Sequence, residues 1–332
     1  MNSVPAPRVA RRLPTLPAIL LCLNATAANT NVIMQTHTFK RVGSCELKAD
    51  VFRADDTVAR PVVVWLHGGA LVMGGRRSVP RNITELCRNE GYALVSPDYR
   101  LAPEVKLPAI IEDVQDGFRW IREQGPKLFN ADTKRVVVTG GSAGGYLTMM
   151  TGIRVQPRPT ALVAYWGYGE VDGDWYAKPS EHYHKVAALF TKEDADKARS
   201  PVPLTGSEAN NTALQARSTY YRYLRQNGLW PKEVTGFDLA TERDKFTPFC
   251  PVRNLTASYP PILMVHGTED TDVPYSKSAD MARELARLKV PHELVTVPGA
   301  EHGLAGGDRQ LVAAAHQRAL DFIKKHLQAP AR

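Results

Sequence analysis

Six short runs of β-branched and aliphatic residues, interleaved with stretches of helical spacing, constrain this chain more than any other feature. They are Val62–His67 (VVVWLH), Ala93–Ser96, Val136–Thr139, Ala161–Tyr165, Ile262–Val265 and Glu293–Val297. Continuous apolar runs of strand length suit parallel strands that are covered on both faces. Between and after them, apolar residues recur at helical intervals: Ile83, Leu86 and Cys87; Ile110, Val114, Phe118 and Ile121; Met281, Leu285 and Leu288; Leu311, Val312, Ala315, Leu320 and Ile323. Strand alternating with helix predicts an α/β architecture, an open and mostly parallel twisted sheet with helices on both faces. Two further strands, Thr38–Val42 and Glu46–Arg53, precede the series and are joined by a turn at Gly43-Ser44.

One region breaks the alternation. From Gly167 to Cys250 no run of the same kind occurs, and a helical pattern spans about Asn211–Gln226. Some 80 residues without sheet pattern exceed any plain loop. The expectation is a helical cap, residues 167–250, inserted into a sheet domain made of 29–166 and 251–332. A chain of 332 residues accommodates that plan.

In such a sheet, ligands bind outside the carboxyl ends of the strands, so reactive residues are sought just after the runs. Gly140-Gly141-Ser142-Ala143-Gly144 stands between the strand VVVT and a helical run from Tyr146. This is a G-x-S-x-G nucleophile elbow, a sharp turn that lifts a serine hydroxyl clear of the sheet and aims the helix dipole at it. His67-Gly68-Gly69-Ala70 ends the VVVWL strand, where glycines let backbone N–H groups converge. With the N–H of Ala143, donors among Gly68, Gly69 and Ala70 would hold the oxyanion of a tetrahedral intermediate. A serine needs a base, and the base an orienting carboxylate. Glu269, Asp270 and Asp272 follow the strand ILMV, and His302 follows ELVTV. His292 precedes that strand, and His316 and His326 fall in the terminal helix. The order serine, acid, histidine matches the elbow's fold.

Taken together, His67-Gly68-Gly69, Asp98-Tyr99-Arg100-Leu101-Ala102-Pro103, Leu107-Pro108-Ala109, Gly140–Gly145, His266-Gly267 with Asp270, Val273-Pro274 and His302 resemble the α/β-hydrolase superfamily. Within it the chain is similar to hormone-sensitive-lipase and feruloyl/acetyl-esterase-like serine esterases. The resemblance covers about residues 38–327 apart from the cap. It implies the α/β-hydrolase fold and a triad of Ser142, Asp270 and His302, the acid standing four residues after His266. Ala70 replaces the third glycine common in such oxyanion loops, and alanine still offers an N–H. The implied reaction is hydrolysis of a carboxylic ester through an acyl-enzyme, with amide hydrolysis or a non-catalytic binding role as alternatives.

Other features narrow the partners. The net charge of +8 is spread among acidic residues without a dense basic stripe, so no nucleic-acid partner is expected. His182-Tyr183-His184 lacks a third ligand and reads as solvated cap surface, so no metal is assigned. No nucleotide-binding glycine pattern occurs, and no cofactor is expected. Asp98 and Arg100 are expected to form an ion pair that pins the loop after their strand. Cys22, Cys45, Cys87 and Cys250 are widely spaced, and no pairing follows from their positions. Residues 1–28 have the basic, apolar, small-residue layout of a secretory signal peptide, which would make the chain secreted or periplasmic. An apolar tail on a cytoplasmic protein is the alternative. No membrane span is expected. Trp166, Tyr168, Glu170, Asp172, Asp174, Trp175 and Tyr176 mix aromatic and acidic groups at the start of the cap. Either they line a pocket for a small ester, short-acyl, sugar or phenolic, or they pack the cap onto the sheet domain.

Overall fold

Each apolar run falls in a strand of the computed structural model, which describes residue 1 and residues 31–186, 188–208 and 211–328. Residues 2–28 of the segment read as a signal peptide, Cys22 among them, lie outside the described residues. The strands are β1 (Val32–Val42), β2 (Cys45–Ala54), β3 (Arg60–Leu66), β4 (Ala93–Pro97), β5 (Ala131–Gly141), β6 (Ala161–Tyr165), β7 (Ile262–Gly267) and β8 (His292–Val297). They form one sheet in the order β1-β2-β4-β3-β5-β6-β7-β8. β1 and β2 join antiparallel, β2 pairs antiparallel with β4, and every later pairing is parallel. β1 begins at Val32, six residues before the expected Thr38. It is an edge strand with a largely exposed outer face, so its opening Val32-Ile33-Met34 is too short and too exposed to resemble the continuous buried runs of the inner strands.

Helices cover both faces, and alternate residues of one strand serve opposite layers. Val62, Val64 and Leu66 of β3 share a core with Ile110, Val114, Phe118 and Ile121 of α2 (Leu107–Leu128) and Leu147 and Met150 of α3 (Ala143–Arg154). Val63 and Trp65 face the other way, toward Ile83, Leu86 and Cys87 of α1 (Arg81–Glu90). Each buried aliphatic side chain contributes roughly 1.5–3 kcal/mol, so a strand buried on both faces must be apolar throughout.

Residues 167–250 carry α4 (Asp174–Ala177), α5 (Glu181–Val186), α6 (Lys192–Asp196), α7 (Asn211–Asn227) and α8 (Trp230–Thr235), and no strand among the described residues. Tyr168, Tyr176 and Trp230 of this segment join the core on the α2 and α3 side. After it come α9 (Ser276–Arg287), on that same side, and α10 (Arg309–Gln328), whose Ala315, Ala319 and Ile323 join the opposite core.

The expected pair of Asp98 with Arg100 does not form. Asp98 instead takes Arg76 at 2.6 Å, and Arg100 grips Asp113 of α2 through two bonds of 2.7 Å. Arg76 also reaches Asp50 at 2.9 Å. Two-residue spacing offered a local partner, but folding delivers distant carboxylates to each guanidinium with better geometry. Cys45, Cys87 and Cys250 are buried free thiols.

Candidate active site

The turn after β5 holds Ser142 at φ 57° and ψ −122°, a left-handed conformation that costs an L-residue about 1–3 kcal/mol. Surrounding bonds enforce it. The Ser142 N–H donates to the Tyr165 carbonyl at 2.9 Å, and its own carbonyl accepts from Tyr146 at 2.9 Å as α3 begins. Gly144 is required because a Cβ there would lie 2.0 Å from the Leu66 carbonyl oxygen of β3. The hydroxyl is thereby presented at the start of α3, whose first residue is the fully buried Ala143.

His302 follows β8 and meets Ser142. Its Nε2 lies 3.1 Å from Ser142 Oγ, and its Nδ1 lies 2.8 Å from Asp270 Oδ2. Asp270 sits in the turn after β7, where its Oδ1 accepts from the backbone N–H groups of Asp272 at 3.0 Å and Val273 at 2.8 Å. A second imidazole, His266, stands 3.2 Å from Asp270 Oδ2 through Nε2. That ring is fixed by Ser278 Oγ on Nδ1 at 2.7 Å and by the Val273 carbonyl at 2.9 Å. Burial alone would push the Asp270 carboxyl up, but the bonds from His266, His302 and Val273 hold it at about 2. For His302, burial presses the imidazole down. The hydrogen bond to Asp270 and the charges of Asp272 and Asp270 outweigh it and raise the ring above its ordinary value.

Of the three acids considered in the sequence, only Asp270 reaches His302 Nδ1. Asp272 lies on the other nitrogen's side, 3.7 Å from Nε2, and is engaged by the Tyr221 hydroxyl at 2.6 Å and Arg225 at 2.7 Å. Glu269 is exposed.

The segment after β3 curls beside the serine. Gly69 has φ 109°, and a Cβ on it would lie 2.2 Å from the Met73 carbonyl oxygen. Ala70 and Leu71 are also left-handed, at φ 53° and 63°. The loop is braced from several sides: Tyr99 donates to the His67 carbonyl at 2.8 Å, and Trp230 Nε1 donates to the Ala70 carbonyl at 2.8 Å. Gly68, Gly69 and Ala70 all line cavities that also contain Ser142.

Two cavities meet at Ser142. One, of ≈ 630 Å³, is walled mainly by apolar side chains, including Trp65, Met73, Ile83 and Trp166. The other, of ≈ 480 Å³, is polar and includes His182, Tyr183, Ser218, Tyr221, Arg222, Asp272 and His302. The aromatic and acidic group at the start of the cap divides between the two expectations, mostly toward packing. Only Trp166 lines either cavity. Tyr168 and Tyr176 are buried and stack against Tyr146 at 4.9 Å and Trp230 at 4.0 Å. Asp172 is buried against Arg253 at 2.8 Å, and Glu170 takes Lys277 at 2.8 Å. An aromatic ring in a short loop packs where apolar surface must be covered, and the sheet's helical layer supplies that surface.

His182 is half-buried in the polar cavity, a correction to the solvated reading; His184 keeps that reading's exposure and bonds the Gln226 carbonyl at 2.9 Å. Among the described residues no group of three or more His, Cys, Asp or Glu side chains could hold a metal ion, and no helix is long and apolar enough to cross a membrane. The residues that sequence reasoning misses come mainly from the 167–250 segment. Arg225 and Trp230 touch the acid loop and the serine's neighbouring loop, and no local motif marks either. His266 belongs to the His266-Gly267 motif, and its contact with Asp270 follows from four-residue spacing across a tight turn.

The family model described as BD-FAE matches residues 50–285, and one described as Dienelactone hydrolase family matches residues 247–329. Among curated proteins, the non-reducing polyketide synthase adrD of Penicillium rubens is 26% identical over 96% of this chain, which spans 15% of that protein's length. Esterase LipC of Mycobacterium tuberculosis is 25% identical over 76% of the chain and 56% of its own length. Among solved structures, an alpha/beta hydrolase superfamily protein from Enterococcus faecalis superposes with a TM-score of 0.68 at 19% identity. The match covers 88% of this chain and 99% of that one.

Proposed function

The chain belongs to the BD-FAE family and has the α/β-hydrolase fold, and from that premise we propose that it is a carboxylesterase-type serine hydrolase working through an acyl-enzyme. The observation that carries this reading is the unbroken chain of two hydrogen bonds, Ser142 Oγ to His302 Nε2 and His302 Nδ1 to Asp270. Ser142 Oγ attacks the ester carbonyl carbon while His302 Nε2 takes the hydroxyl proton. The carbonyl electron pair moves to oxygen, where the N–H of Ala143 and N–H groups of Gly68, Gly69 or Ala70 hold it. Collapse breaks the bond to the alcohol oxygen, which leaves with the proton from His302. Water then repeats the sequence on the acyl-enzyme. Asp270 remains ionised throughout, because its carboxyl lies at about 2, and it fixes the imidazole's tautomer.

The position of His302 also orients the substrate. The leaving oxygen must receive its proton from Nε2, and His302 lines the polar cavity. The alcohol therefore occupies the polar cavity, and the acyl group occupies the apolar one. A compact acyl group on a polar alcohol, as in short-acyl, sugar or phenolic esters, fits this division.

The test uses wild type and Ser142→Ala against esters of graded acyl length and matched amides, with a serine-directed organophosphate as covalent probe. Ester turnover absent from Ser142→Ala, and the probe's mass found on the peptide holding Ser142, are the expected results. Turnover by a folded Ser142→Ala variant would overturn the mechanism. Faster cleavage of the amides would reassign the enzyme as an amidase.

A further inference from the structure

The polar cavity holds one charge that is neither part of the proposed triad nor engaged by a partner among the described residues. Arg222 projects from α7 into its lining, is exposed, and has no hydrogen-bond or ion-pair partner among the described residues. This sets it apart from the other arginines of the same helix. Arg217 is buried against Glu104 at 2.7 Å, and Arg225 is buried against Asp272 at 2.7 Å. The acid of the cavity is thus already engaged: Asp272 receives Arg225 and the Tyr221 hydroxyl together. What remains uncompensated on the wall is a guanidinium, with the ring of His182 and the hydroxyl of Ser218 on the same lining.

Resting on the reading of this site as an esterase, we propose that the polar cavity selects esters whose alcohol portion carries a carboxylate, with Arg222 as the specificity-determining residue. The chemistry is that of a planar fork of donors, which pairs with a carboxylate through parallel N–H···O bonds. The apolar cavity across Ser142 supplies the contrast. Its wall of Trp65, Ile83 and Trp166 disfavours an anion, so a substrate apolar at the acyl end and anionic at the alcohol end has one orientation available. That orientation puts the leaving oxygen beside His302, where its proton is delivered. Acylated hydroxy acids and acylated acidic sugars are the alcohols of this class.

Two acetate esters of para-substituted phenols test the proposal: 4-acetoxybenzoate, which carries a carboxylate, and its neutral methyl ester, whose somewhat better leaving group works against the expected preference. Wild type should favour the anion in kcat/KM by about three- to tenfold, the range an exposed charged hydrogen bond supplies, and the difference should lie in KM. Arg222→Ala should bring the ratio to about one, Arg222→Glu should invert it, and Arg222→Lys should keep part of it. High salt should shrink the wild-type preference. A wild-type ratio of one, or a preference that survives in Arg222→Glu, would overturn the inference while leaving the esterase reading intact. If neither ester were cleaved, the esterase reading would fail by itself. The inference would then be decided by titrating both esters calorimetrically into Ser142→Ala, with tighter binding of the anion expected and equal binding overturning it.

Discussion

The carboxyl edge of the sheet and the 167–250 segment both border Ser142, and they are held in place by different physics. At the sheet edge, Ser142, Asp270 and His302 sit in turns directly after β5, β7 and β8, and the register of parallel strands sets their separations. The 167–250 segment is held by stacked rings and a few buried charges. Arg225 lies over the rings of Tyr176 at 4.7 Å and Tyr183 at 5.1 Å while bonding Asp272 in the acid turn. Trp230 reaches the carbonyl of Ala70 in the loop after β3. That segment is therefore fastened to both the acid loop and the loop beside the serine. Its substitutions should register as specificity and stability, whereas those at the sheet edge should register as chemistry.

The largest test of that contrast is Ser142→Ala, expected to lower kcat by on the order of 10⁴-fold or more while the melting temperature stays within a few degrees. A comparable loss from any cap substitution that preserves the melting temperature would erase the distinction. Next, Asp270→Asn should lower kcat by about 10³- to 10⁴-fold, since an amide facing Nδ1 favours the wrong imidazole tautomer. Asp272→Asn, beside the other nitrogen, should cost about tenfold or less. Equal losses in steady-state kinetics would mean that both carboxylates act on the imidazole.

Arg225→Met probes the fastening itself. It leaves the Asp272 carboxylate without its cation, which should destabilise the protein by about 3–5 kcal/mol in denaturant melts. An unchanged midpoint would show that stacking alone holds the cap. In pH profiles, kcat/KM should fall on the acid side as His302 becomes protonated, with a midpoint above the ordinary histidine value because Asp270 and Asp272 favour the charged ring. Asp270 does not contribute to that limb, since its carboxyl titrates at about 2. Removing the Asp272 charge takes away part of the stabilisation of the imidazolium, so Asp272→Asn should move the midpoint down. An upward shift would contradict the placement of Asp272 beside Nε2. The smallest effect concerns acyl length: kcat/KM is expected to be highest for the short-acyl class proposed above and to decline beyond about four to six carbons. An optimum at long-chain esters would show that the apolar cavity opens further than its walls suggest.

The sheet and the residues proposed to react are legible in the sequence because each rests on a local rule. A strand buried on both faces must be continuously apolar, as Val62–Leu66 is, and a left-handed serine between tight turns demands glycine at 144. The start of β1 lies outside that rule, because an edge strand with an exposed face needs no continuous buried run and offers only Val32-Ile33-Met34. Pairings between distant segments belonged to the tertiary structure. Asp98 lies two residues from Arg100 yet takes Arg76, because buried charges go to the partner with the best geometry once the chain has collapsed. The aromatics at the start of the cap followed the same logic. Their pattern was equally consistent with lining a pocket or filling a core, and only the helical layer of α3 and α8 decided that Tyr168 and Tyr176 fill it. Local sequence rules act through bonds and turns a few residues long and so could name the serine, the histidine and the candidate acids. The choice of Asp270, the bracing by Trp230 and Arg225, and the two unlike cavities arise from contacts across 30 to 160 residues, which no local pattern encodes.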